Sequence, residues 1–400
     1  MVVLAAVALL RGTPASAQGD GGPDMANVRV RMGPFMMNPT ISVGNIGIDH
    51  NVFNDPPDKI PKEDFTVSVT PMADLWLHAG PTWVTASVSE TINWYQEYAS
   101  ERTAGHEFKL GWSVPGSLMS FKINGAYLDA RERPGFEIDS RVQRKEVTHS
   151  GSVEYHALSK SHIGVSGSRA RTSFAEDAEF EDTNLRISLN RVNTTAAVNL
   201  RQQITPLTSL TFSATRSMDR FEFSPQRDSD TTDVRASLAF DPVALLKGGA
   251  MIGYSDFKPT APDLPGFKGV IGSVNLTYVL LGATRFGVEG LRSVQYSYDV
   301  DQPYYVQTGV NGSIAQQIFG PFDVAVHGGV ELLAYRDRLG AVVKVADRTD
   351  RVNSYGVGVG FHMGKALRLA FNVDKVNRDS QLADRQYDNF RFGTSLTSAF

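Results

Sequence analysis

The sequence predicts an all-β protein, a single closed antiparallel transmembrane β-barrel of about 18 strands, with 16 as the alternative. Three observations predict it. Apolar residues recur with a period of two from Thr40 onward, the connections alternate between short and long, and no window reaches the roughly 18 consecutive apolar residues of a membrane-spanning helix. The 42% hydrophobic fraction and mean hydropathy of −0.20 look soluble on average, as a wall with one apolar and one polar face does. The 400 residues carry 39 Lys and Arg against 43 Asp and Glu, a formal net charge of −4, which gives no reason to expect nucleic acid as a partner. With no cysteine, disulfide frameworks, thiolate metal sites and cysteine nucleophiles are excluded.

The chain opens with an apolar run, Val2 to Leu10, followed by Ala15-Ser16-Ala17, the small-x-small form of a signal-peptidase site. Residues 1–17 are therefore expected to be a signal peptide, although Arg11 follows the apolar run instead of preceding it. Residues 18–38, with the short alternation Val28-Arg29-Val30-Arg31, are expected to form a periplasmic or lumenal N-terminal segment, and 39–400 the barrel.

Strands follow from alternation. Over 65–77 the odd positions Phe65, Val67, Val69, Leu75 and Leu77 are apolar, and the even ones mostly polar. Phe108, Leu110 and Trp112 alternate with Lys109, Gly111 and Ser113; Tyr355, Val357, Val359 and Phe361 alternate with Ser354, Gly356, Gly358 and Gly360. Each is a strand with one face for an apolar surrounding and one for water. Eight connections are short and built on Gly, Pro or small residues: 79–82, 114–117, 158–161, 205–208, 241–248, 280–283, 319–322 and 363–366. Nine are longer and mostly charged: 54–63, 98–105, 130–141, 174–184, 224–230, 258–268, 299–303, 336–350 and 377–386. Seventeen connections join eighteen strands, with both termini on the side of the short turns. An open meander of this length would leave two unpaired edges, and in hydrocarbon every backbone amide must be paired, so closure is required. A propeller would repeat a four-strand unit, and no such repeat occurs.

The final strand alternates Phe390, Phe392, Leu396 and Phe400 with small and polar residues. A terminal strand of this kind resembles the assembly signal of bacterial outer-membrane barrels, carried by Phe392, Leu396 and Phe400. The resemblance implies the cell outer membrane of a Gram-negative organism, with outer-membrane lipid, lipopolysaccharide and the barrel-assembly machinery as partners. The segment GPFMMNPTISVGNIGIDHNVFND (33–55) is similar to the first strand of the large porin-like barrels found in exopolysaccharide loci. There a Pro-led strand runs to an Asp-x-Asn-aromatic ending, here Asp49, Asn51, Val52 and Phe53, with His50 at a position more usually small or polar. This resemblance implies passage of secreted polysaccharide and transfers no catalytic residue.

The faces opposite the apolar stripes supply the lumen-lining candidates Asp74, Lys109, Lys122, Arg201, Arg235, Glu331, His362, Arg368 and Asp374. Both signs occur, which favours mutual pairing across the wall over a selective track. Trp76, Trp83, Trp94, Tyr95, Trp112, Tyr278, Tyr296, Tyr298, Tyr304 and Tyr305 lie near strand ends and fit interfacial girdles, with Trp76 inward by phase. Glu90 and Arg292 fall on the apolar phase, where a lipid-facing charge at mid-depth costs about 2–4 kcal/mol; a bulge or an interfacial position resolves this. Leu185, Ile187 and Leu189 are out of phase with the strand after them, which predicts a bend or membership in the preceding loop. Glu176, Asp177, Glu179, Glu181 and Asp182 read as a solvated acidic loop, since they lack the spacing of a calcium loop.

The eight histidines show no HExxH-type spacing, and no GxSxG, P-loop or paired-carboxylate cluster occurs. No catalytic residue, cofactor or metal site is expected, and the chain is not expected to be an enzyme; a hydrolase would need Ser, His and a carboxylate to converge at the outer rim. The expected function is a porin-like channel and passive conduit, with secreted polysaccharide as cargo. The alternatives are a general small-solute porin and a plugged structural or adhesive surface barrel.

Overall fold

A computed structural model describes residues 22, 23, 25, 28–241, 244–364 and 366–399; the expected signal peptide 1–17 and Phe400 lie outside the described residues. Eighteen strands form the wall. They are β1 (Phe35–Asp49), β2 (Asp64–Ala79), β3 (Thr82–Tyr95), β4 (Thr103–Val114), β5 (Met119–Glu132) and β6 (Val142–Leu158). Then come β7 (Ser161–Phe174), β8 (Arg191–Thr205), β9 (Thr208–Phe221), β10 (Ser229–Phe240), β11 (Leu246–Pro259) and β12 (Phe267–Leu280). The last six are β13 (Thr284–Tyr296), β14 (Tyr304–Phe319), β15 (Phe322–Arg336), β16 (Thr349–Met363), β17 (Leu367–Asp379) and β18 (Tyr387–Ala399). Each pairs antiparallel with its sequence neighbour, and β18 pairs back onto β1 from Thr40↔Ala399 to Asp49↔Arg391. The barrel is closed, with the eight short turns at one end and the nine long loops at the other. Two of the turns place Gly80 (φ 61°) and Gly320 (φ 51°) in the left-handed region just before a proline, which a side chain would resist.

The closing seam is the least regular part of the wall. β1 bulges between Val43 and Ile46 against β18, and between Gly44 and Gly47 against β2. Asn45 sits in the bulge at φ 52°, its amide donating to Ser68 Oγ at 3.1 Å. The first residues of β1 extend past the end of β18. There the short strand Val30–Met32 turns back and pairs with Phe35, Met36 and Met37, covering an edge that would otherwise be open. The barrel thus begins at Phe35, not at residue 39, because this hairpin gives the strand's first residues a partner on both sides.

Alternation sets the two faces. Leu110 (60% exposed), Val234 (63%) and Ile252 (63%) point outward with Phe108, Trp112, Val198, Phe212 and Phe371. Inward, register places Asn38, Asp74, Ser87 and Lys109 side by side across β1 to β4. Trp94, Trp112 and Tyr278 lie on the outer face, as girdle residues should.

The apolar core lies inside the loop-side mouth. Ile138, Val142, Phe174, Ala178, Phe180, Leu185, Leu189 and Tyr298 form one cluster, and Tyr305, Leu333, Tyr335 and Val352 a second. Leu185–Leu189 is one helical turn of the loop before β8, capped by the Asn184 side chain on Ile187 N; helical spacing puts Leu185 and Leu189 together, hence their phase mismatch with the strand. Tyr95, Tyr298, Tyr304 and Tyr305 are buried in the mouth, with Tyr296 half-buried beside them, and do not join a girdle. Tyr95 is covered by Arg141, whose guanidinium lies over its ring; for the others the reason is the path of β13. Its ladder to β12 stops at Gly272↔Arg292, and beyond that point it leans inward, so that Tyr296 packs edge-on against Phe221 of β9 at 4.9 Å. Arg292 stands where the strands part, donating to Val270 O (3.1 Å) and Thr308 Oγ1 (2.6 Å), which satisfies an outward charge without a bulge. Glu90 lies on the outer face toward the loop end of β3, 3.8 Å from His106 Nδ1.

Candidate functional site

The lumen has two unlike halves. Toward the short turns it is a wet wall of Ser, Thr, Asn and Gly studded with charges that meet partners. Lys109 Nζ lies 2.7 Å from Glu107, and Arg235 bonds Asp233 one position apart on the same face. Arg201 holds Glu154. Asp323 takes Arg368 at 2.6 Å and His362 at 2.8 Å, while Asp374 faces His327 at 3.3 Å. Asp74 lies between Asn38 and Ser87, and Lys122 between Ser113 and Ser152. Glu331 sits deeper, accepting from Gln307 Nε2 (3.0 Å) and Asn311 Nδ2 (3.3 Å). Charges paired this closely leave little net field for a passing solute to feel. Three rings also face inward here: Trp76, and His78 stacked on Trp83 at 4.2 Å and 20°. Gly22 of the N-terminal segment lies against Trp83.

The loop-side half is filled. Residues 133–141, the connection between β5 and β6, run inward and reach the opposite wall. At the near end Arg133 and Arg141 both donate to Val52 O, at 2.7 and 3.2 Å. Arg141 also meets Glu101 Oε2 and Tyr95 Oη, each at 2.6 Å. The Asp-x-Asn segment supplies this anchor. Asp49 accepts from Asn51 N (3.1 Å) and pairs with Arg391 (2.8 Å), while Asn51 bridges to Asp55 and to Asp388 of β18. Phe53 packs edge-on against Tyr98 at 5.0 Å. The motif therefore both locks the seam and presents one carbonyl to the loop.

At the far end Glu137 is 2% exposed, accepting from Ser297 Oγ (2.6 Å) and Tyr298 N (3.2 Å). Burial pushes its carboxyl above the ordinary glutamate range; the Ser297 hydrogen bond and the Arg385 and Arg348 charges pull the other way. Arg378 of β17, fully buried, donates to Phe136 O (2.9 Å), Asp139 Oδ2 (3.0 Å) and Asp350 Oδ2 (2.5 Å). Arg385 donates to Glu137 O and lies 2.9 Å from Asp139, and Arg348 stacks over Tyr335 at 3.6 Å. Arg227, in the loop after β9, donates to Ser297 O and Pro303 O; burial lowers it to about 10, so it stays charged at neutral pH.

This closure is the feature that sequence reasoning misses: Glu137, Asp139, Arg348, Asp350, Arg378 and Arg385 all fall within connections marked only as long and mostly charged. The available signal was Phe136 and Ile138, two large apolar side chains within a charged loop, since such residues gain by being covered. The acidic loop 174–184 is also partly paired, through Glu176 to Arg186 (2.5 Å) and Glu181 to Arg385 (3.6 Å). Of the terminal-strand residues, Phe392 and Leu396 share the outer face of β18. What the arrangement does is steric and electrostatic: a polar vestibule ending at a loop held by buried charges.

A family model described as "Putative beta-barrel porin 2" matches residues 23–400. No curated protein matches the chain. Among solved structures, a BenF-like porin from Pseudomonas fluorescens Pf-5 aligns over 92% of this chain and 100% of its own, with 10% identity and a TM-score of 0.48. OccK2 (OpdF) from Pseudomonas aeruginosa aligns over 91% and 98%, with 9% identity and a TM-score of 0.48. The siderophore receptor PirA from the same organism aligns over 93% and 81%, with 8% identity and a TM-score of 0.42.

Proposed function

The chain belongs to this β-barrel porin family, an outer-membrane channel and not an enzyme, and from that premise we propose that it is a gated conduit for secreted polysaccharide. The observation that carries the reading is the vestibule. Its wall offers Ser, Thr and Asn for sugar hydroxyls, rings at Trp76, Trp83 and His78 for the apolar faces of sugars, and charges already neutralised by neighbours. A polymer can slide along such a wall without being held at a single strong site. The 133–141 loop is the gate: outward passage needs it to withdraw from Arg378 and Ser297.

The test is single-channel conductance in a planar bilayer, comparing the intact chain with one in which residues 134–140 are replaced by a short Gly-Ser linker. Neutral and anionic polysaccharides are added on the short-turn side. The intact chain is expected to conduct rarely. The loop variant is expected to conduct steadily and to be blocked by polymer, with Trp76→Ala and Trp83→Ala together weakening the block without lowering ion conductance. Steady conductance indifferent to polymer would instead identify a general small-solute porin, and no conductance from the loop variant would identify a structural barrel.

A further inference from the structure

We infer that the lumen wall at the short-turn mouth carries a site for one divalent transition-metal ion, formed by Glu154, His156 and His162. The three come from the two strands of one hairpin. Glu154 and His156, two apart on β6, share the inward face, and His162 lies directly opposite His156 on β7. The ligand-capable atoms all lie within 4.8 Å of one another. Glu154 Oε1 is 3.4 Å from His162 Nδ1 and 3.9 Å from His156 Nε2. Two atoms bound tetrahedrally to zinc at about 2.0–2.1 Å are about 3.3 Å apart. One edge of the triangle already has that length, and small side-chain rotations close the others.

Two further observations point to a ligand. Nδ1 of His156 lies 2.9 Å from Ser117 O, a carbonyl that can only accept, so Nδ1 carries a proton and Nε2, 3.9 Å from Glu154 Oε1, is the nitrogen available to a metal. A backbone carbonyl on the far nitrogen is the usual way a metal-binding imidazole is oriented. His162 Nδ1 is buried and has no hydrogen-bond partner, although it points at a carboxylate. A buried ring nitrogen left without a partner is costly unless something binds it.

Arg201 is a positioning residue. Its Nε donates to Glu154 Oε2 at 3.1 Å and its Nη2 to Oε1. When a cation arrives, Oε1 exchanges the guanidinium for the metal while Oε2 keeps Nε, so the carboxylate stays aimed. Two imidazoles and one carboxylate suit Zn²⁺, Ni²⁺, Cu²⁺ or Fe²⁺ and disfavour Mg²⁺ and Ca²⁺. Three protein ligands also leave a coordination position open to the aqueous vestibule. No metal-ligand spacing marks this site along the chain, because its third member is supplied across the hairpin.

The test is isothermal titration of Zn²⁺ into the untagged full-length barrel, folded in detergent and shown to be heat-modifiable. One ion per barrel is expected, with His156→Ala/His162→Ala together at least tenfold weaker, Glu154→Gln also weakened, and His106→Ala on the outer face unchanged. Absence of binding to the native chain, or equal binding by the double variant, overturns the site; an unaffected Glu154→Gln overturns the three-ligand assignment. Should the double variant fail to fold, Zn²⁺ protection of His156 and His162 from diethylpyrocarbonate in the native chain replaces it, and unprotected histidines overturn the site.

Discussion

At the scale of single residues, the closed mouth depends on a few buried charges whose removal has different consequences. Arg378 serves two carboxylates and two loop carbonyls at once. Arg378→Ala leaves Asp139 and Asp350 buried without that counter-charge, a change that costs about 3–5 kcal/mol when one partner of a buried pair is lost. The loop can escape this cost by leaving, whereas the wall ladder does not depend on Arg378's side chain. The variant is therefore expected to fold and stay heat-modifiable but to be cut by trypsin after Arg141, which is expected to resist in the native chain, whereas Arg133 is followed by Pro134 and is no site; equal resistance would show that the loop is held by other means. Glu137 behaves differently because it titrates. Its carboxyl is raised from 4.5 by burial, so the closed form binds the proton more tightly than a loop released into water. Closure is thus strongest below the ordinary glutamate range and weakens as pH rises through the raised value. Of the cations facing it, Arg348 is raised by its neighbours and Arg227, at about 10, stays charged throughout. Open probability in a bilayer should rise with pH from about 4.5 upward, and Glu137→Gln should flatten that profile near its low-pH limit.

At the scale of elements, the seam strand β1 carries a tight geometric demand. A Cβ added at Gly47 would lie 2.0 Å from Phe392 O, a backbone atom of the strand that closes the barrel, whereas one added at Gly44 would meet nothing within 4 Å. Gly47→Ala is expected to abolish the heat-modifiable form or slow its appearance severalfold, with Gly44→Ala folding normally; equal yields would place the bulge outside the assembly step. The contrast also shows what a sequence discloses. The strands, the eight turns and the nine loops were legible because a period of two and the Gly-Pro or charged character of connections are local properties. The Phe35 start of β1 was not, since it depends on Val30–Met32 filling an edge beyond β18. Nor were the buried tyrosines, because alternation reports a face and not whether the strand leaves the wall, as β13 does past Arg292. The helical turn Leu185–Leu189 was legible only as a phase error. Glu154, His156 and His162 were hidden for a similar reason: the hairpin, not the chain order, brings them together.

At the scale of the whole molecule, wall and closure are two cooperative units of different kinds. The wall is a continuous ring of antiparallel ladders in which every strand has two partners, and within the membrane any opening exposes unpaired amides to hydrocarbon, which is costly. The closure has no such protection. It is a small apolar cluster around Ile138, Phe180, Leu185 and Tyr298 joined to side-chain bonds among loops, all on the aqueous side of the apolar belt. Its opening replaces protein hydrogen bonds by water and exposes a limited surface, so its free energy is a fraction of that for global unfolding. Denaturant sensitivity scales with exposed surface, which makes the two units separable. In a urea series, trypsin cleavage after Arg141 and the onset of conductance should come first, at a midpoint well below loss of the heat-modifiable band, and Arg378→Ala should lower only the first midpoint. Coincident midpoints for all three signals would mean that loop and wall unfold together, and the lumen would then have no gate distinct from its wall. Separate midpoints would establish that the mouth can open while the barrel stays intact, as passage of a polymer through a closed ring of strands requires.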